Sequence, residues 1–310
     1  MSRSDTEDRT PSYIALYESG ELARRIEALE AILTSCTLCP RNCRVDRTRG
    51  EVGVCRAGEA AMISSASPHF GEEAPLVGSN GSGTIFMTHC NHRCVFCQNY
   101  NISQETRGGR GDEVGPEELA GVMGALAGRG CHNINIVSPT HYVPQVVAAL
   151  PYAVQKGLNL PLVYNTGGYD SLEVIRLLEG IFDIYMPDYK FTDPRPAQRY
   201  MNAPDYPEVI QDILREMHRQ VGTLRMDEAG IAYRGLLIRH LVMPGDAAGT
   251  AAAMEFIASE LSSDSYVNVM QQYHPMYRAG DFPEIARRVS VEEYLDAVKA
   301  ARRAGLARGF

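Results

Sequence analysis

The amino-acid sequence lacks several features that would assign the protein to a membrane, a secretion route or a nucleic acid. No apolar run is long enough to span a bilayer. Residues 1–10 are polar and acidic, without the basic and apolar regions of a signal peptide. The formal net charge is −8, and the basic residues are scattered rather than arranged in a stripe that could follow phosphates. We therefore expect a cytoplasmic protein that binds neither a membrane nor a nucleic acid.

What the chain does contain is an ordinary globular composition with clustered cysteines. Its 310 residues are 45% hydrophobic and 22% charged, and this length is ample for a full core. Of the eight cysteines, seven fall into two tight groups and Cys131 stands alone. Because disulfides are rare in the cytosol, two such groups indicate metal binding, whereas Cys131 is expected to be a small buried apolar residue.

The second group, the cysteine triplet, consists of Cys90, Cys94 and Cys97 and directly follows a predicted strand at 84–87. Its spacing is C-x3-C-x2-C. Thiolates select zinc and iron–sulfur clusters, and both a structural zinc ion and an ordinary four-iron cluster require four protein ligands. Three thiols therefore leave one coordination position of a [4Fe–4S] cluster open for a small molecule. The alternative is a zinc site in which His92 is the fourth ligand.

The spacing of the triplet resembles that of the radical S-adenosylmethionine (radical SAM) superfamily. In that superfamily the amine and carboxylate of the cofactor occupy the fourth iron of the cluster. An electron from the cluster then cleaves the sulfonium and releases a 5′-deoxyadenosyl radical. The resemblance includes the aromatic residue before the last cysteine, here Phe96, which lies near the adenine in the family. It implies S-adenosylmethionine as the cofactor.

The first group, the cysteine quartet, is sufficient for a metal site by itself. It consists of Cys36, Cys39, Cys43 and Cys55, spaced C-x2-C-x3-C-x11-C. Four thiols close a tetrahedral site, and a bound metal supplies folding energy to a loop-rich segment with few apolar residues. The sequence leaves the metal open. A second iron–sulfur cluster would relay electrons to the first, whereas zinc would be structural.

Downstream of the triplet, short predicted strands alternate with predicted helices about six times, which indicates an α/β fold with a parallel sheet. The radical SAM resemblance implies more, namely a partial (β/α)6 barrel. We expect a disordered tail at 1–12, a helix and cysteine-rich metal-binding segment at 13–75, and the barrel at 76–310. Irregular structure is expected at 61–80, and a hairpin or loop insertion at 223–234.

Chemistry in such a sheet gathers at the carboxyl ends of the strands. In this part the chain resembles the pyruvate formate-lyase activating-enzyme branch of the superfamily, and more narrowly its uncharacterised relatives with an N-terminal cysteine-rich segment. Beyond the two cysteine groups, the resemblance rests on Asp188-x-Lys190, Val242-Met243-Pro244-Gly245 and Tyr273-His274-Pro275. It implies that Asp188 and Lys190 lie beside the methionyl or ribose part of S-adenosylmethionine. It also implies that Asn165 and His240 line the same pocket.

The sequence departs from that branch after its second predicted strand. The activating enzymes have Gly-Gly-Glu there, which contacts the methionyl amine, whereas this chain has Ser138-Pro139-Thr140. The hydroxyl groups of Ser138 and Thr140, with free carbonyl groups, are then expected to accept hydrogen bonds from the amine.

Together these features predict a radical SAM enzyme that abstracts a hydrogen atom from its substrate. An activator-like enzyme would act on a glycine Cα of a glycyl-radical enzyme. Two alternatives remain, namely radical modification of a peptide or small metabolite, and a non-enzymatic iron–sulfur or zinc protein that transfers electrons. The expected partners are S-adenosylmethionine, an electron donor such as flavodoxin or ferredoxin, and a protein or peptide substrate.

Overall fold

The structure, a computed structural model, describes residues 9–105 and 111–310. Most of the predicted tail, residues 1–8, lies outside the described residues. The strands are β1 (Ala61–His69), β2 (Ser82–Met87), β3 (Asp112–Val114), β4 (Ile134–Val137), β5 (Leu162–Thr166), β6 (Ile184–Pro187), β7 (Arg225–Met226), β8 (Ala232–Leu241) and β9 (Tyr266–Met270).

The helices alternate with these strands through most of the chain. They are α1 (Ser12–Glu18), α2 (Glu21–Ala31), α3 (Ala74–Val77), α4 (Tyr100–Ser103), α5 (Pro116–Gly128), α6 (Val143–Gln155), α7 (Leu172–Leu177), α8 (Pro194–Met201), α9 (Tyr206–Val221), α10 (Thr250–Phe256) and α11 (Val291–Arg303). A π-helical turn, Ile257–Leu261, extends α10. In the described part of the chain, no helix is long and apolar enough to cross a membrane.

Six strands form the parallel sheet that the sequence predicts. Their order is β2-β4-β5-β6-β8-β9, and every neighbouring pair in this series is parallel. The central strands β5 and β6 are buried along their whole length, as expected for strands that helices cover on the outside of a barrel. The predicted α/β partial barrel of six repeats is therefore confirmed.

Two antiparallel additions flank the parallel series. Strand β1 pairs antiparallel with β2, and β3 pairs with β1. The prediction of irregular structure at 61–80 is therefore wrong for β1. Its serine-rich sequence has weak strand propensity, and pairing with β2 decides its conformation. The hairpin predicted at 223–234 is confirmed, because β7 pairs antiparallel with the start of β8.

The N-terminal segment packs on the same core as the barrel. Tyr13, Leu22 and Leu29 are fully or almost fully buried and belong to one hydrophobic cluster with the strands. The backbone N–H and the hydroxyl of Ser12 donate to Asp183 Oδ1 at 2.9 and 2.8 Å, which attaches the start of α1 to the residue before β6. Ser12 thus belongs to a helix rather than to the predicted tail. The division into units at 13–75 and 76–310 stays a prediction.

Candidate functional site

The loop after β2 carries the cysteine triplet at the carboxyl edge of the parallel sheet. His89 and Arg93 adopt left-handed backbone angles, with φ of 67° and 58°, which are uncommon for residues other than glycine. The backbone N–H of His92 donates to Cys90 Sγ at 3.4 Å. Burial raises the pKa of the Cys90 thiol to about 11. A bound metal would displace the proton from such a thiol, because the thiolate is the form that binds metal.

The three thiols face one cavity of about 230 Å³, which the ends of five parallel strands also line. Three soft ligands in one loop, facing a cavity, are a donor set that suits an iron–sulfur cluster with one open iron. Among the described residues, no three Cys, His, Asp or Glu side chains are close enough to hold a single metal ion. A four-iron cluster does not require such convergence, since each thiolate binds a different iron.

His92, the alternative zinc ligand, lies against the barrel interior. Its ring packs edge-on against Tyr169 and Tyr206. Burial lowers the pKa of His92 well below its ordinary value, so the imidazole is neutral. Neither ring nitrogen has a hydrogen-bond partner among the described residues, although the side chain is 3% exposed. The imidazole also lines the cavity of the triplet.

A compact group of charges forms the opposite wall of this cavity. Asp188 accepts from Lys190 Nζ at 2.6 Å through one carboxylate oxygen and from Arg239 Nε at 2.7 Å through the other. Arg239 also donates to Asn165 Oδ1 at 2.7 Å, and its other terminal nitrogen lies 3.6 Å from a carboxylate oxygen of Glu72. These contacts fix the side chains of three neighbouring strands at their carboxyl ends.

The charges in this group hold one another ionised. Burial alone would raise the pKa of Asp188, but the charges of Arg239 and Lys190 outweigh it and lower that pKa to about 2. Burial likewise opposes the charge of Lys190, yet Asp188 prevails and raises the pKa of the ammonium. Lys190 has two further N–H donors beyond its bond to Asp188. The wall is therefore suited to bind a carboxylate.

Five of the seven residues that the sequence assigned to the cofactor pocket line the same cavity as the triplet. These residues are Phe96, Ser138, Asn165, Asp188 and Lys190. Ser138 has a left-handed backbone, with φ of 58°, at the position where the activating enzymes have glycine. The ring of Phe96 is held edge-on against Phe191, with centroids 6.0 Å apart.

The other two assigned residues, His240 and Thr140, do not line this cavity. Both nitrogens of His240 are engaged away from the cavity, Nδ1 with Tyr189 O at 2.8 Å and Nε2 with Thr250 Oγ1 at 3.0 Å. Its neighbour Arg239 faces the cavity instead, because successive side chains of a strand point to opposite sides. Thr140 donates to the buried Asp170 at 2.7 Å and belongs to the core.

Sequence reasoning missed two members of this group of charges, namely Arg239, which lines the cavity, and Glu72, which does not. Arg239 could have been found by strand alternation, because only one of two adjacent residues on β8 can face the cavity. Glu72 gave no usable signal, since it lies in a stretch that was expected to be irregular and its partner is distant in sequence.

The cysteine quartet lines a second, smaller cavity on the N-terminal side of the triplet loop. The backbone passes tightly there, since a Cβ on Gly53 would lie 2.7 Å from Cys43 Sγ. The backbone N–H of Val54 donates to the same sulfur at 3.4 Å. None of the eight cysteines forms a disulfide. Arg47 lies beneath this segment, 1% exposed, and donates to Gly58 O and to His141 O.

The chain is similar to a known protein family, to an uncharacterized protein and to a solved structure. Residues 84–227 match the Radical SAM superfamily. An uncharacterized protein of Methanocaldococcus jannaschii is 33% identical over 289 residues, a match that covers 91% of this chain and 78% of that protein. The crystal structure of a radical SAM methyltransferase from Sphaerobacter thermophilus has a TM-score of 0.50 at 16% identity. That match covers 73% of this chain and 65% of the methyltransferase chain, and it shows a common fold.

Proposed function

The chain belongs to the radical SAM superfamily. From this premise we propose that it is an enzyme that cleaves S-adenosylmethionine at a [4Fe–4S] cluster held by Cys90, Cys94 and Cys97. The single observation that carries this proposal is the common cavity. The triplet, Phe96 and the charged wall of Asp188, Lys190 and Arg239 all line it. Cys90, Cys94 and Cys97 would hold a [4Fe–4S] cluster, which would supply the electron for cleavage of the sulfonium and hence the radical chemistry on the substrate.

The protein's own residues bind and orient the cofactor. The ammonium of Lys190, which Asp188 holds in place, would donate to the methionyl carboxylate. The hydroxyl of Ser138 is an acceptor for the methionyl amine. Phe96, whose ring is held by Phe191, would pack beside the adenine. The side chains of Lys190 and Asp188 are 16% and 15% exposed and Phe96 is buried, so little water reaches this wall, which limits side reactions of a radical.

Anaerobic reconstitution followed by an assay for 5′-deoxyadenosine tests this function. The expected result is an oxygen-sensitive cluster and release of 5′-deoxyadenosine after reduction by dithionite. A non-enzymatic electron-transfer protein would hold iron or zinc but would release no 5′-deoxyadenosine. That outcome would overturn the proposal.

The finer proposal concerns the substrate. The motifs shared with the pyruvate formate-lyase activating enzymes support a glycine Cα of a glycyl-radical enzyme, with flavodoxin or ferredoxin as the electron donor. A peptide side chain or a small metabolite is the alternative substrate of the same radical. Electron paramagnetic resonance separates the two. A glycyl radical appears as a stable doublet on the partner enzyme, whereas the alternative gives turnover of S-adenosylmethionine without a stable protein radical.

A further inference from the structure

The cysteine quartet surrounds a cavity that its four thiols share with Leu38, Val45 and the imidazole of His141. Each thiol reaches the cavity from a separate position of a tight loop, and no three of these side chains are close enough to hold one ion. In a zinc site, four sulfur atoms lie about 2.3 Å from a single ion. Around a cubane, each sulfur binds its own iron at a corner, and the ligands stand further apart.

His141 is a second, independent sign that the cavity is built for an occupant. The side chain is 2% exposed, and its Nδ1 has no hydrogen-bond partner among the described residues. The other nitrogen, Nε2, lies 2.7 Å from Thr88 O and so carries the proton. Burial lowers the pKa of His141 to about 3, which keeps the ring neutral. An unpartnered nitrogen inside a protein is costly unless something occupies the space it faces.

Contacts of two residues, Asn91 and His141, bring the quartet segment and the triplet loop together. The side-chain oxygen of Asn91 lies 4.0 Å from Cys90 Sγ of the triplet. Asn91 is 1% exposed, so this contact is closed to water. The second connection runs from His141 to Thr88, two residues before Cys90. Arg41, from the quartet loop, donates to Asn91 O at 3.1 Å and holds the two loops together.

From these observations we propose that the quartet holds a second [4Fe–4S] cluster, which passes electrons through Asn91 to the cluster of the triplet. One electron leaves the reduced flavin or iron–sulfur centre of a flavodoxin- or ferredoxin-type donor. The same electron reduces the quartet cluster and then the triplet cluster, and no proton or bond is transferred. The relay rests on the proposed function of the triplet, whereas the identity of the quartet metal does not.

The metal is tested in full-length protein in which Cys90, Cys94 and Cys97 are all replaced by Ala. After anaerobic reconstitution, the expected content is about four iron and about four sulfide per chain, with a reduced-state paramagnetic signal. About one zinc per chain without iron would overturn the proposal. Cys131→Ala in the same background is the matched control for removal of a thiol outside both groups, and its metal content is expected to be unchanged.

The relay is tested by the rate at which the triplet cluster is reduced. The measured quantity is the ratio of the rate with reduced flavodoxin or ferredoxin to the rate with dithionite. In Cys39→Ala/Cys43→Ala this ratio is expected to fall by at least an order of magnitude, and an unchanged ratio overturns the relay. Asn91→Leu keeps all seven thiols and provides the same test if the double variant does not fold. Absence of any triplet cluster in the wild-type chain would instead contradict the proposed function and leave the result on the quartet metal standing.

Discussion

The imidazole of His92 lies directly against the α-carbon of Gly167, at a separation that leaves no room for a side chain. A Cβ on Gly167 would be 2.3 Å from His92 Nε2. Gly167 follows β5 and His92 follows β2, so this contact brings the triplet loop onto the edge of the barrel two strands away. The position of the triplet therefore depends on a residue without a side chain.

We predict that Gly167→Ala destabilises the protein by about 1–3 kcal/mol, which is typical of an overpacked interior. The free energy of unfolding in urea measures this change. Gly121→Ala, on the open face of α5 with no neighbour within 4 Å, is the matched control and should stabilise by up to about 1 kcal/mol. His92→Ala combined with Gly167→Ala should recover part of the loss. Equal stabilities of the Gly167 and Gly121 variants would contradict the contact.

Cys94→Ala should abolish the oxygen-sensitive cluster of the triplet, because two thiols cannot hold a cubane. Iron per chain and the reduced-state spectrum measure the loss. Cys131→Ala removes an equally buried thiol from the core and should leave both quantities unchanged. The assignment fails if the Cys94 variant keeps the wild-type spectrum with S-adenosylmethionine bound.

Asp188→Asn should weaken binding of S-adenosylmethionine by about a hundredfold, because it leaves Lys190 and Arg239 buried with one carboxylate fewer. Lys190→Met should have a similar effect through loss of the donor to the carboxylate. Equilibrium binding to the reconstituted enzyme measures both, with iron content expected to stay constant. Asp296→Asn breaks an exposed pair with Lys299 and is the control for loss of a surface charge. Wild-type affinity in both cavity variants would place the cofactor elsewhere.

Arg239→Lys should weaken binding of S-adenosylmethionine, whereas His240→Asn should lower only the stability of the protein. Lysine cannot reproduce the two-directional contacts of Arg239 with Asp188 and Asn165, so affinity for S-adenosylmethionine should fall about tenfold. His240→Asn should lower the melting temperature, because it breaks two buried hydrogen bonds outside the cavity. Its affinity should equal that of the wild type. The reverse pattern would restore His240 to the pocket.

Asp183 should give the stability of the protein a distinct pH dependence. Burial raises its pKa from 3.8 to about 6, despite hydrogen bonds from Ser12. The native state therefore binds more protons than the unfolded chain between about pH 4 and pH 6, and this contribution to stability is lost as the pH rises through that window. Asp183→Asn cannot titrate. The free energy of unfolding of the variant minus that of the wild type should increase between about pH 4 and pH 6. Above about pH 6 this difference should be constant.

The sequence was sufficient for the parts of the fold and site that local patterns encode. Alternation of strands and helices predicts the six parallel strands, and the spacing of Cys90, Cys94 and Cys97 predicts one loop with three thiols. Strand β1 was missed because pairing with β2, and not the propensity of its serines, determines it.

The charged wall was only partly predictable for a related reason. Asp188 and Lys190 are two residues apart and were found together by motif, whereas Arg239 and Glu72 reach them from remote segments. A single sequence gives no signal of which distant charges meet. His240 was assigned to the pocket instead of Arg239 because the sequence does not show which side chains of β8 point towards the cavity. Adjacent residues of a strand point to opposite faces, so an error of one residue exchanges the two.

The buried guanidinium of Arg47 should delay closure of the quartet loop until the barrel has been made. Its acceptor His141 O lies 94 residues further along the chain, so a ribosome makes the whole quartet long before that partner exists. Until then the guanidinium has only its local acceptor, Gly58 O, and its remaining N–H groups need water, so we expect the quartet loop to stay open. Nascent chains arrested before residue 141 should thus expose their quartet thiols to alkylation, whereas chains arrested well beyond it should protect them. If the quartet binds the metal proposed above, synthesis of the barrel would then set the time at which that metal is retained.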